Sequence, residues 1–254
     1  MASGLQVAAL LLWAIPASGQ AMVSARAGLI SLTQGEVSVD GESIRANAQA
    51  FYSLKEGQLL RTGGGRAEVL LGPAVFLRLG GQSALRMVNS SLGDTRVELQ
   101  RGAGLVEIVE TVKHGRIQIG QAETRTDLHR WGLYRFDAEH GELRVFGGEA
   151  QVTAGERKAA VGRGWAVQLS GGLTTSKFDG KETDGLLQWA ARRSFRLFVS
   201  NAEARRQRTD WEFTATGWLW NRNFQTRFFS GVGASEYRRR HRSAEREQTA
   251  TALH

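Results

Sequence analysis

Cysteine is absent from all 254 residues. That absence excludes disulfides, thiolate nucleophiles, Cys-ligated zinc and a lipid anchor on an N-terminal cysteine. Proline is nearly absent, at 2 residues against 31 glycines, so the turns must be glycine turns, which favours many short strands over helices. Histidine is scarce as well. His114, His129, His140, His241 and His254 form no HxH or HxxxH pair, the spacings at which histidines share a metal. There is no G-x-S-x-G elbow. Gly63-Gly64-Gly65-Arg66 has the glycine content of a phosphate cradle but leads into a strand, where a phosphate loop needs a helix N-terminus. The nearest ligand-like cluster, Asp127, His129, Asp137, Glu139 and His140, flanks the apolar segment from Trp131 to Phe136. Surface charge on a hairpin explains it better than a metal does. With no convergent acid, base or nucleophile, neither an enzyme nor a cofactor is expected. A divergent hydrolase using the acids from Asp127 to Glu139 is the weakest alternative.

What the chain does contain is a ten-residue pattern that returns: Ile30-x-Leu32-x-x-Gly35-x-Val37-x-Val39, then Leu143-x-Val145-x-x-Gly148-x-Ala150-x-Val152. A looser copy runs from Val97 and Leu99 through Gly102 to Val106 and Ile108, with Gly104 at a position apolar in the others. Apolar residues alternate at period 2 on both sides of a glycine that supplies a positive φ or a bulge. The unit is a short hairpin or a bent strand. Repetition of such units builds an all-β sandwich or a short β-solenoid. From Leu59 to Leu79 the strands are broken by Gly63 to Gly65 and by Gly72-Pro73, as in a meander.

The two ends differ from this body. Leu5 to Ile15 is almost uninterrupted apolar and is followed by Pro16, Ala17, Ser18 and Gly19, so residues 1–21 are expected to be a signal peptide cleaved after Gly19 or Ala21. A retained membrane anchor and a buried core helix are the alternatives. The formal charge is +8, from 33 basic and 25 acidic residues. Up to Gly180 there are 19 basic and 17 acidic residues, which leaves 14 against 8 for the remainder. Asp184 can cap a helical segment over 184–208 whose Leu187, Ala191, Phe195 and Phe198 form an apolar stripe opposite Arg192, Arg193 and Arg196. A strut packed on the β domain is expected, with a membrane-surface helix as the alternative. An aromatic-rich extension over 211–237 carries Trp218 and Trp220 with Arg222 and Arg227, which either stack on a ligand or fold back as a cap. Residues 238–254, with Arg238, Arg239, Arg240 and Arg242, form a basic disordered tail able to attract anionic lipid or acidic glycan.

The segment Leu54-x-x-Gly57-x-Leu59-Leu60-x-Thr62-Gly63, followed by Ala67-x-Val69-x-Leu71 and Val75-x-Leu77-x-Leu79, resembles the core of the FecR domain, the periplasmic sensing module of iron-responsive transmembrane regulators. Gly132-x-Tyr134-Arg135, the repeat at Val145 to Val152, and Val161-x-x-Gly164-x-x-Val167-x-Leu169 resemble its closing half. The resemblance implies a FecR-like β domain over residues 28–175 without a long helix, and it supplies no catalytic residues. Members of that family carry a cytoplasmic anti-sigma bundle and one transmembrane helix ahead of the domain. The segment before residue 28 leaves no room for them, so the chain is expected to be similar to stand-alone exported FecR-domain proteins.

The function expected from the sequence is therefore non-enzymatic binding or sensing at the cell envelope, with another envelope protein as partner and without nucleic acid. The first alternative is a glycan or peptidoglycan binder using Trp218, Trp220, Arg222 and Arg227; the second is a scaffold on the membrane surface. Export has a direct check. N-terminal sequencing of the protein from an envelope fraction should begin near Gln20 or Met22, and an intact Met1 in the cytoplasm would refute it.

Overall fold

The computed structural model describes residues 26–112 and 115–207, the last ten in backbone only. In chain order the strands are β1 (Leu29–Gln34), β2 (Val37–Val39), β3 (Glu42–Ser43), β4 (Tyr52–Ser53), β5 (Leu59–Thr62), β6 (Arg66–Gly72), β7 (Val75–Leu79), β8 (Ala84–Asn89) and β9 (Thr95–Arg101). They continue as β10 (Ala103–Ile108), β11 (Ile117–Gln121), β12 (Thr124–Leu128), β13 (Gly132–Asp137), β14 (Glu142–Gly147), β15 (Glu149–Ala154), β16 (Arg157–Gly162), β17 (Trp165–Gln168) and β18 (Thr175–Lys177), and one helix follows, α1 (Gly185–Gln207).

The strands form two nine-stranded sheets. The helix-bearing sheet has the order β18-β17-β14-β13-β10-β7-β6-β1-β4, and the open sheet has the order β16-β15-β12-β11-β9-β8-β5-β2-β3. Both grow in nearly the same direction along the chain, so the sandwich is stacked piece by piece as a solenoid is, and it does not close into a barrel. Inward residues of both sheets share one core that includes Ile30, Leu60, Leu77, Leu85, Val106, Phe136, Val145 and Val152. These are the alternating apolar positions of the repeat, buried because each strand turns every second side chain inward.

The recurring glycine marks a corner at which a bent strand passes from one sheet to the other. β1 and β2 lie in different sheets across Gly35, β9 and β10 across Gly102, and β14 and β15 across Gly148. All three glycines have positive φ, at 70°, 74° and 85°. Space is as limiting as angle: a Cβ on Gly35 would lie 2.9 Å from the Cα of Gly65, and one on Gly102 2.7 Å from the Cα of Ser83. On Gly148 it would lie 2.7 Å from the Trp131 carbonyl oxygen and collide with the Tyr134 hydroxyl. That hydroxyl ties two corners together. It donates to the Arg130 carbonyl at 3.0 Å and accepts the Glu149 N–H at 3.3 Å. Burial pushes the phenol up to about 12, so it remains a donor throughout the physiological range.

Two details depart from simple alternation. A register shift between Ile30 and Leu32 breaks the β1–β6 ladder, so Ile30 enters the inter-sheet core while Leu32 packs on the opposite face, under α1. The ladders are antiparallel except for β9 and β11, which are parallel. This follows from the path: the chain leaves the open sheet at Gly102, runs along β10 in the other sheet and returns as β11. The crossings β1–β2, β5–β6, β7–β8 and β9–β10 lie along one long side; β10–β11, β12–β13, β14–β15 and β16–β17 lie along the other.

Crowding at the corner makes a measurable difference. Gly155 also has positive φ, 57°, but nothing lies within 4 Å of a Cβ built there. Gly155→Ala should cost about 1 kcal/mol for the left-handed backbone alone, and Gly148→Ala about 3 kcal/mol or more because the Tyr134 hydroxyl must also be displaced. Urea unfolding of the two variants compares them directly, and equal costs would refute the corner argument.

Candidate functional site

Three neighbouring strands, β6, β7 and β10, turn alternate residues away from the core, and this outer face is mixed. Leu70, Phe76 and Leu105 stand on it beside Glu68, Arg78 and Glu107. Register places Glu68 opposite Arg78 and Phe76 opposite Glu107. Such a face cannot stay bare, and α1 covers it. The helix segment is rich in Leu, Ala, Arg and Gln and free of proline. Asp184 caps it, its Oδ1 accepting the Leu187 N–H at 2.8 Å. Leu186, Leu187, Trp189, Ala190 and Ala191 pack on Leu105 and Leu133, and Leu197 reaches the cluster of Ala74, Phe76 and Val109. The Trp189 indole donates to Gln34 Oε1 at 2.8 Å.

Beneath this apolar contact lies a buried charge network, in which Arg78 Nη2 and Glu107 Oε1 have no hydrogen-bond partner among the described residues. Arg78, fully buried, donates from Nε to Glu68 Oε2 at 2.9 Å and from Nη1 to Glu107 Oε2. From the helix, Arg193 donates through Nε and Nη2 to Glu68 Oε1 at 3.0 and 2.9 Å, and Ser194 Oγ donates to Glu107 Oε2 at 2.7 Å. Ser31 Oγ adds a bond to Glu68 at 2.8 Å. Two guanidiniums and two carboxylates sum to zero charge, the condition under which burial of ions is tolerable. Burial pushes Glu107 upward, only partly opposed by Arg78. Burial also opposes ionisation of Glu68, yet the charges of Arg78 and Arg193 hold it below the ordinary glutamate range. Arg193 thus belongs to the buried side of α1, contrary to its expected place opposite the stripe, while Arg192 and Arg196 are exposed.

At the N-terminal end of α1 the same sheet face opens into a groove of about 450 Å³. Arg135 spans it, donating to Asp137 at 3.1 Å and to Asp184 at 2.9 Å. Arg144 lies between Glu142 and Glu182, 2.9 Å from the latter, with Phe178 under its guanidinium at 5.6 Å. Phe146 meets Phe178 edge to face at 4.9 Å and forms an aromatic wall. Asp137 organises the β13–β14 turn by accepting the N–H groups of Glu139 and His140. Although burial works against it, these bonds and Arg135 hold its carboxyl below the usual range. His140 Nδ1 lies 3.1 Å from the same carboxylate. The groove offers both charge signs and a ring face, with its charges fixed by mutual pairing.

The sequence-predicted positions fall elsewhere. Trp218, Trp220, Arg222 and Arg227 lie outside the described residues. The metal-like cluster is divided, with Asp127 on β12 of the open sheet and paired to Gln118 and Arg116, and Asp137 on the other sheet. Among the described residues no group of three His, Asp or Glu side chains could hold a metal. Sequence reasoning missed Glu68, Arg78 and Glu107, because a charge alternating with apolar residues in a strand reads as solvated. The signal that could have found them is Phe76 and Leu105 at outward positions of the same strands.

No family model and no curated protein matches the chain. Among solved structures it is similar to two crystal structures "of a putative anti-sigma factor" from Parabacteroides distasonis ATCC 8503. One has 12% identity and a TM-score of 0.39 over 52% of this chain; the other has 11% and 0.41 over 53%. The likeness spans 61% and 64% of the length of those chains.

The network sets two expectations. Arg78→Leu leaves two buried carboxylates short of a partner and should cost about 3–5 kcal/mol in chemical denaturation. Because Glu68 titrates lower in the folded chain than in the unfolded one, its stabilisation is complete at neutral pH and is lost as the pH falls through and below the ordinary glutamate range. Stability of Glu68→Gln should therefore decline less steeply between neutral and acid pH than that of the wild type. Parallel pH profiles would count against the assignment.

Proposed function

We propose that this chain is an exported, non-enzymatic recognition and sensing module of the FecR kind, which engages another envelope protein through the helix-capped face of its sandwich. The observation that carries this reading is the use made of charge on that face. The guanidiniums and carboxylates of Glu68, Arg78, Glu107 and Arg193 hold a helix in place. Those of Arg135, Asp137, Arg144, Glu182 and Asp184 fix the walls of a groove. A group clamped in this way is a poor nucleophile or proton shuttle but a good fixed contact for a partner's polar side chains. The FecR-like order of glycines and apolar residues supports the same reading, since it accounts for the corners of the sandwich. The basic segment 238–254 would add attraction to anionic lipid or acidic glycan.

A glycan-binding reading has its own support in Trp131 and Trp165, each 39% exposed at corners along the same long side, with the Lys177 ammonium 5.5 Å from the Trp165 ring. Half-exposed indoles beside cations suit sugar stacking.

Crosslinking in intact envelopes separates the two. A tagged wild-type chain should capture a protein partner, Arg135→Ala combined with Arg144→Ala should lose it while keeping the β-rich circular dichroism spectrum of the folded chain, and removal of residues 208–254 should leave capture intact. Capture that survives the groove substitutions but disappears with Trp218→Ala and Trp220→Ala, together with retention on peptidoglycan, would favour the glycan binder and defeat the proposal.

A further inference from the structure

The outer face of the open sheet is crossed by one continuous row of paired residues. Register sets Arg86 beside Glu98, Glu98 beside Gly120, Gly120 beside Arg125, Arg125 beside Thr153 and Thr153 beside Lys158. Each alternates with an inward residue of its own strand, so all six share the outer side. Gly120 is the anomaly. Its φ is not positive, and a Cβ built there would meet nothing closer than the Val97 carbonyl oxygen at 3.6 Å and the Glu98 side chain at 3.7 Å. Unlike the corner glycines, then, it is required neither by angle nor by space, although glycine weakens a strand interior. What it leaves is bare backbone between Glu98 and Arg125, the arrangement that lets a ligand approach a sheet closely. The charges in the row are also unequally engaged. Glu98 accepts the Gln100 amide at 3.0 Å and Arg86 donates to the Gly57 carbonyl at 2.7 Å. Arg125 and Lys158 are exposed and, among the described residues, have neither an ion pair nor a side-chain hydrogen bond.

From this face we infer that the open sheet binds a linear acidic polysaccharide laid across its strands, with a sugar ring over Gly120 and carboxylates on Arg125 and Lys158. Charge argues against the other occupants. The row holds three cations and one carboxylate. A second copy would set the same excess of cations against itself, and residues 208–254, with 8 basic and 5 acidic residues, would be repelled as well. None of the six residues is aromatic or a long apolar one, so the row has neither the stacking rings of a single-stranded nucleic-acid site nor the anchor of a membrane-surface element. A sugar acid meets each condition. Arg125 and Lys158 stand two strands apart, about 9–10 Å, and so take two separate carboxylates of one polymer. Glu98 repels a third carboxylate but accepts hydroxyl donors, so the occupant must carry hydroxyls between its anions, as a polyuronate does and an acidic polypeptide does not. The inference concerns the face opposite α1 and holds whatever partner the groove takes.

Titration of the full chain with polygalacturonate at physiological salt tests it. Arg125→Ala should weaken binding roughly tenfold, the worth of one charge-assisted hydrogen bond. Arg61 is as exposed on the same face but pairs outside the row, with Ser38 and Ala84, so Arg61→Ala should leave binding within about twofold of the wild type. Gly120→Thr changes no charge. It should weaken binding as much as Arg125→Ala does while the melting temperature stays at or above that of the wild type, since threonine suits a strand and its Cβ meets no clash there. Replacing Arg238, Arg239, Arg240 and Arg242 by alanine should lower the affinity of the wild type and of Arg125→Ala alike, which preserves their ratio. Polyglutamate, with carboxylates but no hydroxyls, should bind more weakly than polygalacturonate and without regard to residue 120. The inference is overturned if polygalacturonate does not bind, if Arg61→Ala and Arg125→Ala lose equally, or if polyglutamate binds as tightly. A Gly120→Thr chain that binds normally, or that melts below the wild type and so shows the glycine to serve the fold, would overturn it equally.

Discussion

A guanidinium placed where no water reaches it must have anionic acceptors beside it, and that constraint organises one whole side of this protein. Arg78 stands on the outer face of a central strand with Glu68 and Glu107 on its two neighbours. In water those charges would be worth little to one another. Under α1 they become mutually indispensable, because removing any one leaves another charged and dry. The helix is therefore more than an apolar lid. Arg193 and Ser194 each add a donor to one of the two carboxylates, so the position of α1 along and around its axis is set by hydrogen-bond geometry, which slides far less readily than contact between aliphatic side chains. The cap at Asp184 and its ion pair with Arg135 continue the same fixing into the groove.

The opposite face obeys a different rule. The open sheet carries no described helix, and its outward positions alternate charged and amide side chains such as Arg125, Asp127, Gln118 and Arg96. The two faces of the sandwich thus divide the work. One side buries ions to fix a helix, and the other remains solvated. Between them, glycine corners permit passage from sheet to sheet without a long loop, which is how so many strands fit into so short a chain.

Much of the fold was legible because period-2 alternation and glycine spacing are local. Val37, Val39, Val145, Val152 and Val161 were readable as inward positions, and each enters the core. Gly35, Gly102 and Gly148 were readable as reversals, although a lone sequence does not distinguish a hairpin turn from a corner between sheets; that depends on which strand waits across the gap. Leu32 was misplaced on the core face because a bulge shifts the register by one residue, and bulges leave no trace in a hydropathy pattern. The charged layer was the largest omission. Glu68, Arg78 and Glu107 are far apart in sequence and join only through the order β6-β7-β10, so their shared burial is a property of topology. Arg193 was read as solvent-facing for the same reason, since its partner lies 125 positions earlier. The groove owes its form to residues from the β13–β14 hairpin and the approach to α1, a meeting that no spacing rule encodes.

The path of the chain also imposes an order in time. Synthesis delivers residues from the N-terminus, and in this sandwich nearly every new strand finds its neighbour already made, which suits progressive assembly. The charged layer is the exception. Glu68, Arg78 and Glu107 are all present by the time β10 is laid down, whereas Arg193 and Ser194 arrive only with the final helix. While about a third of the chain is made, the nascent protein therefore carries an open strip of ions and aromatic surface on a sheet that is still growing. Completion of that side waits for the last described element of the chain.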